Sequence, residues 1–152
     1  MKFEIRSLKF NKLLVYETKQ LRTDWQEGIF LMEDFTLTAD IYKNGPVFFS
    51  VQSEENEDKF GHFTYYLPIN ETVSLDDETH FRFIEDLCID EALVLRQADQ
   101  EADFHSAYRK VKEYAIDNRI ELEDKFYCVL IEVYGDIIID IYVPIKDRSE
   151  KI

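Results

Sequence analysis

The chain has 152 residues, of which 45% are hydrophobic and 14% aromatic, with only 4 Gly and 3 Pro. This composition excludes a disordered or linker-rich chain, and the length suits one domain or two half-size units that share a core. The formal net charge is −14, from 18 Lys and Arg against 32 Asp and Glu, and such an acidic surface argues against nucleic-acid binding because it repels phosphate backbones.

The first half of the chain predicts four elements in the order β-α-β-β. Thr23 has the character of a helix N-cap, with Gln26 three residues on to complete a capping box, and Asn44-Gly45-Pro46 ends the helix. An acidic loop at residues 53–59 separates the two strands that follow. The predicted elements are a strand around residues 12–18, a helix between residues 23 and 44, and strands at residues 47–52 and 62–69.

The same order of elements returns after a polar connector at residues 70–80. Asp99 is a suitable N-cap for the second helix, and acidic residues early in that helix with basic residues later match the helix dipole. The second set comprises an extended stretch at residues 81–97, a helix from Asp99 to about Asn118, and a hairpin at residues 126–146.

The C-terminal hairpin is the clearest local pattern. Two β-rich runs flank Gly135-Asp136, and a two-residue loop that begins with Gly predicts a tight turn. Pairing of Tyr134 with Ile137 would place Glu132 opposite Ile139. Both faces of the hairpin are apolar, so both are expected to be covered, and Glu132 is then a carboxylate among aliphatic side chains.

The two halves predict an internal repeat. Leu67-Pro68-Ile69 and Val143-Pro144-Ile145 both end a strand after a Tyr, which defines an offset from position 67 to position 143. The same offset superposes Met32, Phe35 and Ala39 on Tyr108, Val111 and Ala115. We therefore expect a single domain over residues 1–152, built from repeats at about 3–70 and 81–146 that the connector 70–80 joins.

At this point the chain resembles the GyrI-like effector-binding domains, which share a fold with the SOUL haem-binding proteins. FYCVLIEVY (126–134) is similar to that family's F-E-I-Y strand, DIYVPIK (140–146) to its closing D-I-Y-I-P-I strand, and TYYLPIN (64–70) to the matching strand of its first repeat. The resemblance implies an α+β fold, in which two β-α-β-β repeats form a curved antiparallel sheet with two helices on one face and a ligand groove at the repeat interface.

The resemblance also implies a binding site. Glu132 corresponds to the acidic residue that faces the groove, where multidrug-sensing members neutralise lipophilic cations. A carboxylate among apolar side chains favours a cationic partner, and aromatic rings would add cation–π contacts. We expect a site for a small aromatic or cationic molecule, formed by Glu132, Tyr134, Tyr65, Tyr66 and Trp25.

Both carboxylates of the hairpin also have a structural interpretation. Glu132 lies near a strand end, where a Lys, an Arg or water can pair with it. Asp140, on the other face, is expected to be solvated because strand acids near a turn usually are.

The chain departs from the resembled family in three respects. Only Gly135-Asp136 separate its last two strands, where the family has a longer loop, and residues 20–23 replace glycines that often follow the first strand of the repeat. No helix-turn-helix is attached. We therefore expect a stand-alone member of an uncharacterised Gram-positive family and not a one-component transcription regulator.

Enzymatic and protein-binding alternatives remain open. Some GyrI-like relatives hydrolyse small electrophiles, and Glu132 with a tyrosine hydroxyl would then activate water and polarise the leaving group. An acidic interaction module, such as a toxin immunity or secretion accessory protein, would instead present residues 53–58 and 76–78 to a basic partner.

No cofactor, metal or membrane contact is expected. His62, His80 and His105 lack ligand-like spacing, so neither a metal nor haem is predicted. The N-terminus shows no signal peptide, no apolar run approaches the roughly 18 residues of a membrane span, and the two Cys are isolated. These features predict a cytoplasmic protein, and a binding function is favoured over the enzymatic alternative.

Overall fold

The computed structural model of the protein describes residues 3–21, 24–52, 60–75, 80–96 and 104–146. The α+β class predicted from the sequence is confirmed, because the described residues form six strands, mostly antiparallel, and two helices. The elements are β1 (Phe3–Leu21), α1 (Trp25–Thr38), β2 (Phe48–Gln52), β3 (Phe60–Pro68), β4 (Phe81–Leu95), α2 (Phe104–Asp117), β5 (Lys125–Val133) and β6 (Asp136–Pro144). The predicted caps Thr23 and Asp99 and the acidic loop 53–59 lie outside the described residues.

The chain divides into two compact units. The first unit comprises Lys9–Cys88, and the second unit comprises Met1–Leu8 together with Ile89–Ile152. Both boundaries fall inside the long strands β1 and β4 and not in the predicted connector 70–80. The single domain built from two joined repeats therefore stays a prediction.

Each unit combines one helix with antiparallel strands, and its last strand lies in the middle. In the first unit β3 pairs with both β1 and β2, so Tyr65 lies between Tyr16 and Phe49. In the second unit β6 pairs with both β4 and β5, so Ile141 lies opposite Cys128. Helix α1 packs on β3 and α2 packs on β6, which buries one face of each middle strand.

The two units repeat the same backbone hydrogen bonds at the end of the middle strand. In the first unit the N–H groups of Asn44, Ile69 and Asn70 donate to the carbonyl oxygens of Pro68, Lys12 and Tyr42, respectively. In the second unit the N–H groups of Glu123, Ile145 and Lys146 donate to those of Pro144, Glu91 and Glu121. Hydrogen-bonding residues before the middle strand are therefore related by the offset from Asn44 to Glu123. Hydrogen-bonding residues at the end of that strand are related by the shorter offset from Ile69 to Ile145.

The helices follow the longer of these two offsets, which relates Gly28 to Ala107. The buried residues are Gly28, Ile29, Met32 and Thr36 in α1 and Ala107, Tyr108, Val111 and Ala115 in α2. The predicted helix alignment used the offset from position 67 to position 143 and is therefore wrong. The connection between β5 and β6 is shorter than the one between β2 and β3, so the smaller offset applies only after this connection and not to the helices. Helix α1 also ends earlier than predicted, because Asp40 beyond its end adopts a left-handed conformation (φ 56°). Arg119 (φ 57°) does the same after α2.

The β5–β6 turn differs by one residue from the prediction. Val133 pairs with Asp136, so the two turn residues are Tyr134 (φ 52°) and Gly135 (φ 86°) and not Gly135-Asp136. Two successive positive φ angles indicate a type I′ turn, in which Gly is favoured at the second position. Glu132 consequently lies opposite Ile137 and not opposite Ile139.

We expect Tyr134→Asn to stabilise the second unit by about 1 kcal/mol, because Asn tolerates the left-handed conformation and Asn-Gly is a favoured type I′ pair. The Tyr134 side chain is fully exposed, so its replacement removes no buried contact. Denaturant unfolding followed by circular dichroism measures the change. Tyr134→Val is the control and should lose stability, and an Asn variant no more stable than wild type would contradict this turn geometry.

Neither helix, among the described residues, is long and apolar enough to cross a membrane.

Candidate ligand-binding site

The predicted site residue Glu132 is exposed, and so is its neighbour Tyr134. Burial in the hairpin is confined to the half that is remote from the turn, where Phe126, Cys128 and Ile141 are fully buried. The expectation that Glu132 is held on a covered apolar face is therefore wrong. The two-residue turn carries the tip of the hairpin beyond the packed part of the unit, so alternation of apolar residues there does not imply burial.

The buried carboxylate of this hairpin is Asp140, contrary to the expectation that it is solvated. Asp140 is 1% exposed, and its Oδ2 lies 2.9 Å from Nε of Arg96. Glu4 lies 3.6 Å from the same guanidinium and also pairs with Arg6, whose pKa is raised above its usual value chiefly by the negative charge of Glu4. Because the protein's own Arg96 neutralises Asp140, this acid is a structural group and not a site for a cationic ligand.

Two predicted aromatic residues of the first unit belong to its packed core. Tyr65 is fully buried, and its hydroxyl donates to the Trp25 carbonyl oxygen (2.7 Å) and accepts from the Gln20 amide (2.7 Å). The half-buried Trp25 ring lies 5.7 Å from the Phe49 ring. Trp25 and Tyr65 therefore belong to the packing of α1 on β2 and β3.

Tyr66 lies on the opposite face of β3 and begins a stack of three rings. Its ring is 4.8 Å from Phe48 with an interplanar angle of 9°, and Phe48 is 4.7 Å from Phe10. Tyr66 and Phe48 are buried, whereas Phe10 is only half-buried. The stack therefore extends from the core of the first unit to a partly accessible ring.

A cavity of about 520 Å³ opens at that accessible ring, and its lining residues all belong to the first unit. This volume is in the range of small-molecule pockets. Its lining residues are Lys9, Phe10, Asn11, Asn44, Pro68, Asp86, Leu87 and Cys88. Phe10, Pro68 and Leu87 supply apolar surface, two amides supply hydrogen-bonding groups, and Lys9 and Asp86 supply one charge of each sign, so the cavity offers both apolar contact and charge to a small molecule.

None of the five predicted site residues lines this cavity. Trp25, Tyr65 and Tyr66 share a unit with it, and the Phe48 and Phe10 rings connect Tyr66 to it. Sequence reasoning missed the cavity because Phe10 comes from β1 and Asp86 from β4, which are distant in the chain. The available signal was an aromatic residue in the otherwise polar run Lys9–Lys12.

A family model described as "Domain of unknown function (DUF5085)" matches residues 11–148. No curated protein sequence matches the chain.

Three solved structures similar to the chain combine low sequence identity with nearly complete coverage. The EcmrR C-terminal domain has a TM-score of 0.65 at 11% identity, over 97% of this chain and 99% of that one. SAV2435 bound to tetraphenylphosphonium has a TM-score of 0.51 at 12% identity, over 99% and 97%. A hydrolase from Listeria innocua has a TM-score of 0.58 at 9% identity, over 95% and 92%. Because the sequence identities are this low, the likeness shows the fold alone, which is GyrI-like.

Proposed function

We propose, from the premise that the chain belongs to the DUF5085 family of unknown function and has a GyrI-like fold, that it is a non-enzymatic binding protein for small aromatic or lipophilic cations. The observation that carries this proposal is the cavity of about 520 Å³ beside Phe10 and Asp86. The Phe10 ring would attract an organic cation through cation–π contact, and the Asp86 carboxylate would attract it through charge and offset the positive charge of Lys9 in the same lining.

Two further facts support a cationic ligand. The formal net charge of −14 raises the local concentration of cations at the surface. One protein of similar fold, SAV2435, was solved with tetraphenylphosphonium, which is a lipophilic cation. Tetraphenylphosphonium is therefore the probe with which binding to this chain is best tested.

Glu132 and Tyr134 stay a proposed second location for the same function, supported by the family resemblance alone. Their exposure in this structure offers a ligand little apolar contact. The hydrolytic alternative would use the same Glu132 with a tyrosine. Because Glu132 is exposed, it lacks the enclosed surroundings in which a carboxylate activates water well.

We expect Asp86→Asn to weaken tetraphenylphosphonium binding about tenfold, because it removes the negative charge beside the cavity without changing side-chain shape. Phe10→Leu should weaken binding less, by the cation–π contribution alone. Isothermal titration calorimetry measures both. The matched control is Asp90→Asn, which makes the same charge change on β4 at a residue outside the cavity lining.

The reactivity of the cysteine thiols tests whether the ligand binds in the cavity. Cys88 lines the cavity and is exposed, whereas Cys128 is fully buried and burial raises the pKa of its thiol well above the ordinary value. A thiol reagent therefore reacts with Cys88 in the folded chain, and bound tetraphenylphosphonium should slow this reaction.

If Glu132→Gln abolishes binding and Asp86→Asn does not, the cavity is the wrong location. If the wild-type chain binds no tetraphenylphosphonium at all, the proposed function fails.

A further inference from the structure

The outward face of α1 carries large apolar side chains that the fold leaves uncovered. Phe30 is 63% exposed, Leu31 is 44% exposed and Leu37 is 82% exposed. The inward face of the same helix is covered, with Gly28, Ile29, Met32 and Thr36 buried. Helix α1 is therefore apolar on both sides, which is unusual for a helix at the surface of a soluble protein.

The second unit provides an internal comparison for this face. With the offset that relates the buried positions of the two helices, Phe30 corresponds to Arg109 and Leu31 to Lys110. Both basic residues lie in α2, which packs on β6 as α1 packs on β3. The fold accommodates charged side chains at these two positions, so packing within the unit does not account for the apolar residues of α1.

The contrast between the helices is concentrated at these two positions. Leu37 corresponds to Ile116, which is also exposed, so an uncovered apolar residue at the end of the helix is common to both units. Phe30 and Leu31 extend that apolar surface along α1, whereas α2 interrupts it with charge.

Acidic residues lie among the apolar ones on this face. Glu27 and Asp34 are exposed and stand three and four positions from Phe30, which puts them on the same side of the helix. The corresponding positions in α2 are Ser106 and Glu113. The face of α1 therefore combines bulky apolar groups with negative charge, whereas the face of α2 carries both signs of charge.

We propose that the outward face of α1, formed by Glu27, Phe30, Leu31, Asp34 and Leu37, is a docking surface for a basic amphipathic segment of another protein. The apolar side chains would contact the apolar stripe of such a segment, and the two carboxylates would meet its Lys or Arg residues. A second copy of this chain fits less well, because it would bring the same acids face to face and add a second formal charge of −14.

The test uses the full chain and a synthetic peptide of Leu and Lys, long enough for five helical turns and arranged to form a helix with one apolar stripe. The paired substitution Phe30→Arg and Leu31→Lys, which installs the residues found in α2, should weaken peptide binding at least tenfold. The matched control is Arg109→Gln with Lys110→Gln, which should leave the affinity within about twofold. Backbone amide shifts in a ¹⁵N spectrum should change along α1 and not along α2.

Folding of the variants is checked by circular dichroism, and Leu37→Lys, at the most exposed of the three apolar positions, is the second variant expected to weaken binding. Three results would overturn the proposal. A scrambled peptide of the same composition could bind as tightly as the amphipathic one, which would reduce the effect to net charge. The α1 variants could bind with wild-type affinity. Light scattering could show a wild-type dimer that Phe30→Arg with Leu31→Lys dissociates, which would make a second copy the occupant.

Discussion

Gly28→Ala is expected to destabilise the first unit by about 2 kcal/mol, although Ala is the better helix former by about 1 kcal/mol. A Cβ atom at this position would stand 2.3 Å from two ring atoms of Tyr65, well inside contact distance. The ring cannot move aside at low cost, because it is fully buried and its hydroxyl holds two hydrogen bonds of 2.7 Å. Only a glycine lets α1 approach β3 this closely.

Replacement of the ring should reverse the sign of this effect. In a Tyr65→Leu background, Gly28→Ala should be neutral or should stabilise by up to about 1 kcal/mol, since the clash has gone and the helix propensity remains. The second unit already combines a helical Ala with an aliphatic strand residue at the corresponding positions, Ala107 on α2 and Ile141 on β6.

Trp25 makes the measurement specific to the first unit, because it is the single Trp of the chain and lies at the start of α1. Denaturant unfolding followed by its fluorescence gives the free energy of unfolding for the four chains of the cycle. Equal costs of Gly28→Ala in both backgrounds would contradict a steric role for Tyr65.

Arg96→Met is expected to destabilise the second unit by about 2 kcal/mol. The substitution removes the guanidinium that lies 2.9 Å from the buried Asp140 carboxylate, and the loss of an opposite charge beside a buried carboxylate is costly. Arg96 itself is about one third exposed, so water replaces part of the lost interaction and the expected cost lies below that of a fully enclosed pair.

The double variant Arg96→Met with Asp140→Asn should recover part of the loss, because it removes the buried charge together with its partner. Lys43→Met is the control, since it breaks an exposed pair with Glu33 at 3.6 Å and should change stability by no more than about 0.5 kcal/mol. Thermal unfolding by circular dichroism measures all three. A cost for Arg96→Met as small as that of Lys43→Met would show that Asp140 does not depend on Arg96.

Local patterns in the sequence were sufficient for the elements and their order. Alternation of apolar residues in β3, β5 and β6, and the helical spacing of Ile29, Met32 and Thr36, depend on neighbours within one element. The helix end was misplaced because the left-handed residue that follows the helix is Asp40 and not Gly45, which the sequence offers as the stop. The hairpin turn was displaced by one residue because Tyr is an uncommon choice at a position with positive φ.

The sequence by itself determined the α+β class, the β-α-β-β order and the resemblance to GyrI-like domains, because periodicity and short strand motifs act over a few residues. Tertiary structure alone decided which carboxylate is buried and where a cavity opens. Glu132 and Asp140 lie on similar apolar strands, and only packing near Arg96 separates the exposed acid from the buried one. Phe10 and Asp86 come together only when β1 and β4 are in place, since burial and proximity depend on residues distant in the chain.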